Sequence, residues 1–173
     1  GVLDQNTFHR IYEQQPIAKV LYELSTFFEF NSLILDLENR KISHHFTQCN
    51  LQQCLEELHS TGRIRMHYGT NMAIFSRSES RFQSFDNKTN EMNLQWLNKD
   101  QPRFNMSTYN ASLFLVLERI IKENKLLLRL SNQLDAKISL HLKSGIPIET
   151  LFYVMKYYKL KIMEKDKLKI VVP

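Results

Sequence analysis

The chain has 173 residues, 43% of them hydrophobic and 24% charged, a globular balance that excludes a disordered or collagen-like chain. With four glycines and four prolines it lacks the turn residues of a many-stranded β-sandwich, so helices are expected to dominate. The net charge of +5 favours an acidic partner such as nucleic acid.

Downstream of Pro16, the residues Ile17, Val20, Leu21, Leu24 and Phe28 recur at helical spacing, and proline suits a first helical turn because its missing N–H has no partner there. Over 31–46 two readings stay open: Leu33, Leu35 and Leu37 alternate as in a strand, while Leu33, Ile34 and Leu37 suit a short helix. Asn50 is placed to cap a helix whose apolar face is Leu51, Cys54, Leu55 and Leu58, ended by Ser60, Thr61 and Gly62. Ile64 and Met66, the turn Tyr68-Gly69-Thr70-Asn71, and then Met72, Ile74 and Phe75 predict a hairpin. Periodicity lapses over 77–104 apart from Met92, Leu94, Trp96 and Leu97, which predicts a linker with Trp96 anchoring it to one of its neighbours.

After Asn110, Leu113, Leu117, Ile120 and Ile121 mark a helix made apolar almost all round by Phe114, Leu115 and Val116, and so deeply buried. A further helix is predicted through Ile138 and Leu142, stopped at Ser144 and Gly145. Pro147 opens another, carrying Leu151, Phe152, Val154, Met155 and Tyr158, so that Gly145-Ile146-Pro147 reads as the turn of a helix-turn-helix. Leu160 and Ile162 face Leu168, Ile170 and Val172 across Glu164-Lys165-Asp166 as a last hairpin. The order of helices then hairpin occurs twice. The predicted fold is therefore mainly α with small β-hairpins: two tandem winged helix-turn-helix units over 1–78 and 107–173, joined by a polar linker over 79–106. The repeat is read as one of architecture and not of sequence identity.

No phosphate-gripping glycine loop, nucleophile elbow or zincin motif is present. His44, His45, Cys49, Cys54, His59 and His67 are the residue types that bind zinc, but their spacing fits no structural site, and Cys54 falls in an apolar stripe where a small sulfur side chain fills core space. A Cys49 nucleophile with His44 or His45 as base lacks any group that would lower the thiol pKa. No metal, cofactor or catalytic residue is expected. Two cysteines imply no disulfide framework and suit a reducing compartment; the start of the chain has no secretory-signal layout, and no apolar run reaches the ~20 residues that span a bilayer.

The basic residues carry more information. Arg63 and Arg65 alternate with Ile64 and Met66, placing both on the solvent face of the first wing, and Lys161, Lys167 and Lys169 do the same on the second, with Lys156 and Lys159 extending it. These five wing cations form the candidate nucleic-acid surface, through salt-dependent phosphate contacts. Lysines there equally serve to stop edge strands from pairing with other chains. Tyr68 beside Arg65, and Tyr153, Tyr157 and Tyr158 beside Lys156, suit base stacking or protein contact, and Tyr157 is the candidate partner contact.

The helix over 50–59 running into a hairpin over 63–76, the polar link, and the helix over 112–123 opening a second unit resemble the C-terminal part of the middle subunit of replication-protein-A-like trimers, in its telomere-capping or telomerase-associated versions. The resemblance spans nearly the whole chain, is architectural and carries no diagnostic motif. It implies a nuclear protein of telomeric chromatin that docks telomerase or polymerase partners and contacts single-stranded DNA weakly, the strongly binding OB-fold lying outside this chain. A scaffold subunit of an endosomal-sorting or RNA polymerase complex, built from stacked winged helices, is the alternative, since fold does not separate these uses.

Overall fold

The computed structural model describes residues 6–62, 64–77, 103–131, 134–166 and 168–172. Along the chain run β1 (Phe8–Pro16), α1 (Ile17–Phe28), β2 (Ser32–Leu35), β3 (Lys41–Cys49), α2 (Leu51–Gly62), β4 (Ile64–Tyr68) and β5 (Ala73–Arg77). They are followed by β6 (Phe104–Ser112), α3 (Leu113–Glu123), β7 (Arg129–Leu130), β8 (Lys137–Gly145), α4 (Pro147–Tyr157), β9 (Lys161–Lys165) and β10 (Leu168–Val172). About 45% of the described residues are strand and 34% helix, in four helices and three sheets. The protein is mixed α/β, which corrects the expected mainly α, tandem winged-helix fold.

The correction has a local cause. Ile138 and Leu142, four residues apart, fit a helix or a strand equally well, but Leu140 between them is also fully buried, so the period is two and 137–145 is strand β8. Gly145-Ile146-Pro147 is then a strand-to-helix corner, and no helix-turn-helix is formed. The ambiguous stretch after Asn31 resolves as β2 and β3. All four residues of β2 are buried, the signature of a strand covered on both faces. The predicted linker lies partly outside the described residues, as does Trp96; within it, Phe104 to Met106 belong to β6.

Helix ends follow ordinary capping rules. Pro16 sits at the N-cap of α1. At α2, Asn50 Oδ1 accepts from Gln53 N at 2.8 Å while Gln53 Oε1 accepts from Asn50 N at 2.9 Å, a reciprocal capping box. Ser112 caps α3 through its side chain, and α4 begins on Pro147.

The repeat is closer than architecture. Each half reads β-α-β-β-α-β-β, and Phe8 and Phe104 occupy the same place in it, a displacement of 96 positions (104 − 8). In each half the first strand pairs antiparallel with the third, and the second lies parallel to the last. Three pairs of left-handed residues, Gln14 and Asn110, Glu29 and Lys125, Gln48 and Ser144, keep the same displacement. At that displacement Val20-Leu21 matches Val116-Leu117, Lys41-Ile42-Ser43 matches Lys137-Ile138-Ser139, His45 matches His141, and Leu55 matches Leu151. The matched serines have a job: each accepts a hydrogen bond from the amide of the left-handed bulge residue opposite, Gln14 N to Ser43 Oγ at 2.9 Å and Asn110 N to Ser139 Oγ at 2.8 Å, satisfying a donor that the bulge removes from the ladder.

The halves meet through strands. β2 pairs antiparallel with β8, giving a five-stranded sheet in the order β4-β5-β2-β8-β6. One face carries Ile34 and Phe75 into a core with α1 and α2, and the other carries Leu33, Leu35 and Ile74 into a core with α3 and α4. The two cores share the sheet and bury nearly every large aliphatic side chain in it, the dominant favourable term in folding. β1 and β3 form a separate two-stranded ribbon, and β7, β10 and β9 a three-stranded sheet. Among the described residues no helix is long and apolar enough to cross a membrane.

Candidate functional site: a groove beside an edge strand

β4 forms one edge of the five-stranded sheet; among the described residues it pairs with β5 alone. Beside it lies the face of α2 formed by Leu51, Gln52, Leu55, Glu56 and His59, whose spacing puts them on one side of the helix. Between helix and strand runs an open groove of ≈ 920 Å³, completed by Arg65, Met66 and Tyr68. Its floor is apolar, from Leu51, Leu55 and Met66. Tyr68 is 67% exposed, and its hydroxyl donates to Met66 Sδ at 3.6 Å. A second depression of ≈ 550 Å³ shares Leu51, Leu55 and Tyr68 and continues along the 69–73 turn.

Both ends of the groove are anchored. His59 Nδ1 lies 3.0 Å from the Ile64 carbonyl oxygen, tying the end of α2 to the start of β4. At the other end Gly69 N donates to Met72 O at 2.8 Å, Glu149 Oε1 accepts from Asn71 N at 3.2 Å, and Asn71 Nδ2 donates to Ser144 O. Asn31 then bridges the turn to β8: Nδ2 donates to Asn71 O and to Lys143 O, and Oδ1 accepts from Lys143 N at 2.7 Å.

Of the predicted cations, Arg65 stands on this groove. Lys161 is exposed on β9, and Lys169 is partly buried on β10 opposite Glu164. Arg63 and Lys167 lie outside the described residues. The three described cations therefore sit in two different sheets, Arg65 in the five-stranded one and Lys161 and Lys169 in the three-stranded one. Lys156, expected to widen a basic face, is 7% exposed. Tyr157, expected at a partner contact, is 4% exposed, and its hydroxyl donates to Asp36 Oδ2 at 3.0 Å; it ties α4 to the end of β2 and has almost no surface to offer. Sequence reasoning overlooked the groove because Leu51 and Leu55 read simply as core on the α2 stripe.

Cys49 Sγ donates to Glu57 Oε2 at 3.3 Å, and His44 Nε2 lies 3.4 Å from the same oxygen. Burial pushes the Cys49 thiol up and the Cys54 thiol up to about 12, opposite to the direction in which an activated thiol is shifted. Among the described residues no group of His, Cys, Asp and Glu is arranged to hold a metal ion.

A polar cleft of ≈ 610 Å³ is lined by Asp36, Glu38 and Asn39 from one half and by Asn110, Asp135, Tyr157 and Tyr158 from the other. Burial, with Asp36 adding to it, pushes the Glu38 carboxyl up to about 7, and its buried Oε1 has no hydrogen-bond partner among the described residues. Comparison with protein-family models finds no match, and comparison with curated proteins finds none.

Proposed function

We propose that this chain is a binding module that docks an extended peptide of a partner protein by adding it as a strand to β4. The observation that carries the proposal is the apolar groove between α2 and the edge of β4. An edge strand offers backbone donors and acceptors to an incoming strand, and a helix beside it supplies pockets for alternate side chains. The groove asks for apolar residues at every second position, to meet Met66, Leu55 and Leu51, and for an acidic residue within reach of Arg65. The resemblance to the telomere-capping subunit is carried by a tandem winged-helix layout that the sheet topology replaces, so the groove alone supports the docking role.

The test is fluorescence anisotropy with a panel of labelled extended peptides of alternating apolar residues, with and without a flanking glutamate, beside single-stranded and duplex oligonucleotides at several salt concentrations. Binding of the glutamate-bearing peptides, weakened at least about tenfold by Tyr68→Ala or Met66→Glu (about 1.4 kcal/mol) and accompanied by protection of the β4 amides from exchange, is the expected result. Oligonucleotide binding that falls steeply with salt and is lost in Arg65→Glu, with no peptide binding, replaces the peptide by nucleic acid. Absence of both removes the groove as a binding site.

A further inference from the structure

The repeat makes the two ribbons comparable, and they differ in what covers them. In the second half Ser107 pairs with His141 across β6 and β8. The face carrying that pair lies beneath α1: the Tyr22 and Ser107 hydroxyl oxygens are 2.7 Å apart, Ser107 Oγ is 2.9 Å from His141 Nδ1, and the Tyr22 ring is 5.8 Å from that of Tyr109. Lys143 Nζ reaches Glu29 at 3.4 Å just beyond α1, and β2 completes the cover by pairing with β8.

In the first half the matching pair is Ile11 and His45, across β1 and β3. This face is open among the described residues. Ile11 is 62% exposed, His9, Ser43, His45 and Thr47 are exposed beside it, and β3 pairs with β1 alone.

We infer that the outer face of the β1–β3 ribbon is the docking site for a second copy of this chain, which lays its α3 and β7 there as α1 and β2 lie on β6–β8. The residues at the repeat-related positions fit each other. Glu118 stands on α3 where Tyr22 stands on α1 (118 − 22 = 96), is exposed, and brings a carboxylate to the exposed His9 and His45, whose rings are 5.2 Å apart. On the same stripe of α3 is Phe114, partly exposed and four residues from Glu118, which supplies an apolar partner for Ile11. β7 pairs with β10 alone among the described residues, leaving its other edge to meet β3 as β2 meets β8. The two contacting surfaces are different, so the association is head-to-tail and extends past the dimer, into a ring where the rotation closes and an open series where it does not.

Sedimentation velocity over a concentration series tests this with the whole chain. The expected result is a distribution that extends beyond dimer as concentration rises. Ile11→Glu blocks the ribbon and Glu118→Lys blocks the helix, and each abolishes that growth. Because each single variant keeps one good surface, an equal mixture of the two forms a discrete dimer, whereas the double variant is monomeric. Both positions are exposed, so an unchanged melting curve shows that the variants fold, and His45→Glu provides a second block on the ribbon. A single monomeric species throughout, or a closed dimer that survives both single substitutions, overturns the inference. Loss of peptide binding in Tyr68→Ala leaves the series intact, which separates this surface from the groove.

Discussion

Tyr157 donates its hydroxyl to Asp36 Oδ2 at 3.0 Å, joining α4 to the end of β2 across 121 residues of sequence. Asp36 is itself left-handed, with φ 60°, and its carboxylate also lies 3.8 Å from Arg77 Nη1. Tyr157→Phe keeps the buried ring and removes only the donor. It is expected to lower stability by about 1 kcal/mol, since Asp36 is exposed enough for water to replace part of the bond. Urea unfolding checks this, and a midpoint equal to the parent's sinks the assignment.

The two bulge serines should differ in worth although they make the same bond. Ser139 is fully buried and Ser43 exposed. Ser139→Ala takes the acceptor from a part-buried bond and empties a fully buried hydroxyl site, with an expected loss of about 1–2 kcal/mol. Ser43→Ala leaves the Gln14 amide to solvent, with a loss below about 0.5 kcal/mol. Equal effects in thermal unfolding would count against burial as the deciding variable.

Gly69 is held close to α4. A Cβ there would lie 2.3 Å from Glu149 Oε1 and 2.9 Å from the Tyr153 ring. Glu149 is a flexible side chain, but moving it breaks the bond from Asn71 N. Gly69→Ala is expected to destabilise by about 1–2 kcal/mol and to raise amide exchange over 69–72. Unchanged exchange there would show that the turn does not depend on Glu149.

Glu38 sets a pH dependence. Its folded pKa of about 7 lies above the ordinary 4.5, so between those values the folded chain binds the extra proton. The contribution is fully present below pH 4.5 and is lost as pH rises through 7. Glu38→Gln is therefore expected to be more stable than the parent at pH 8, by about 1–2 kcal/mol after allowing for partial solvent screening, and to lose that advantage near pH 4.5. Melting curves across this range check it, and a constant difference at all pH values contradicts it.

Spacing alone disclosed the four helices of the described residues. Ile17, Val20, Leu21 and Leu24, then Cys54, Leu55 and Leu58, then Leu113, Leu117 and Ile120, then Leu151, Val154 and Met155 lie on their inner faces. The hairpins after α2 and α4 were equally legible, from alternation around polar turns. β1, β6 and β8 were not. β1 has one polar face and a bulge at Gln14 that breaks its alternation, β6 is interrupted likewise at Asn110, and β8 buries Ser139 and half-buries His141 against α1, so its polar residues do not mark a solvent face.

Local sequence thus determined where helices and hairpins nucleate, because capping, side-chain period and turn chemistry act over a few residues. What they assemble into was decided by pairings such as β2 with β8, whose partners lie about a hundred positions apart and leave no local trace. Those pairings bury Ser139, Tyr157 and Lys156, leave Arg65 on a groove at a sheet edge, and cover one ribbon of the repeat while leaving its twin open. Strand order is set by which apolar faces find each other in the folded chain, and only the tertiary structure carries that information.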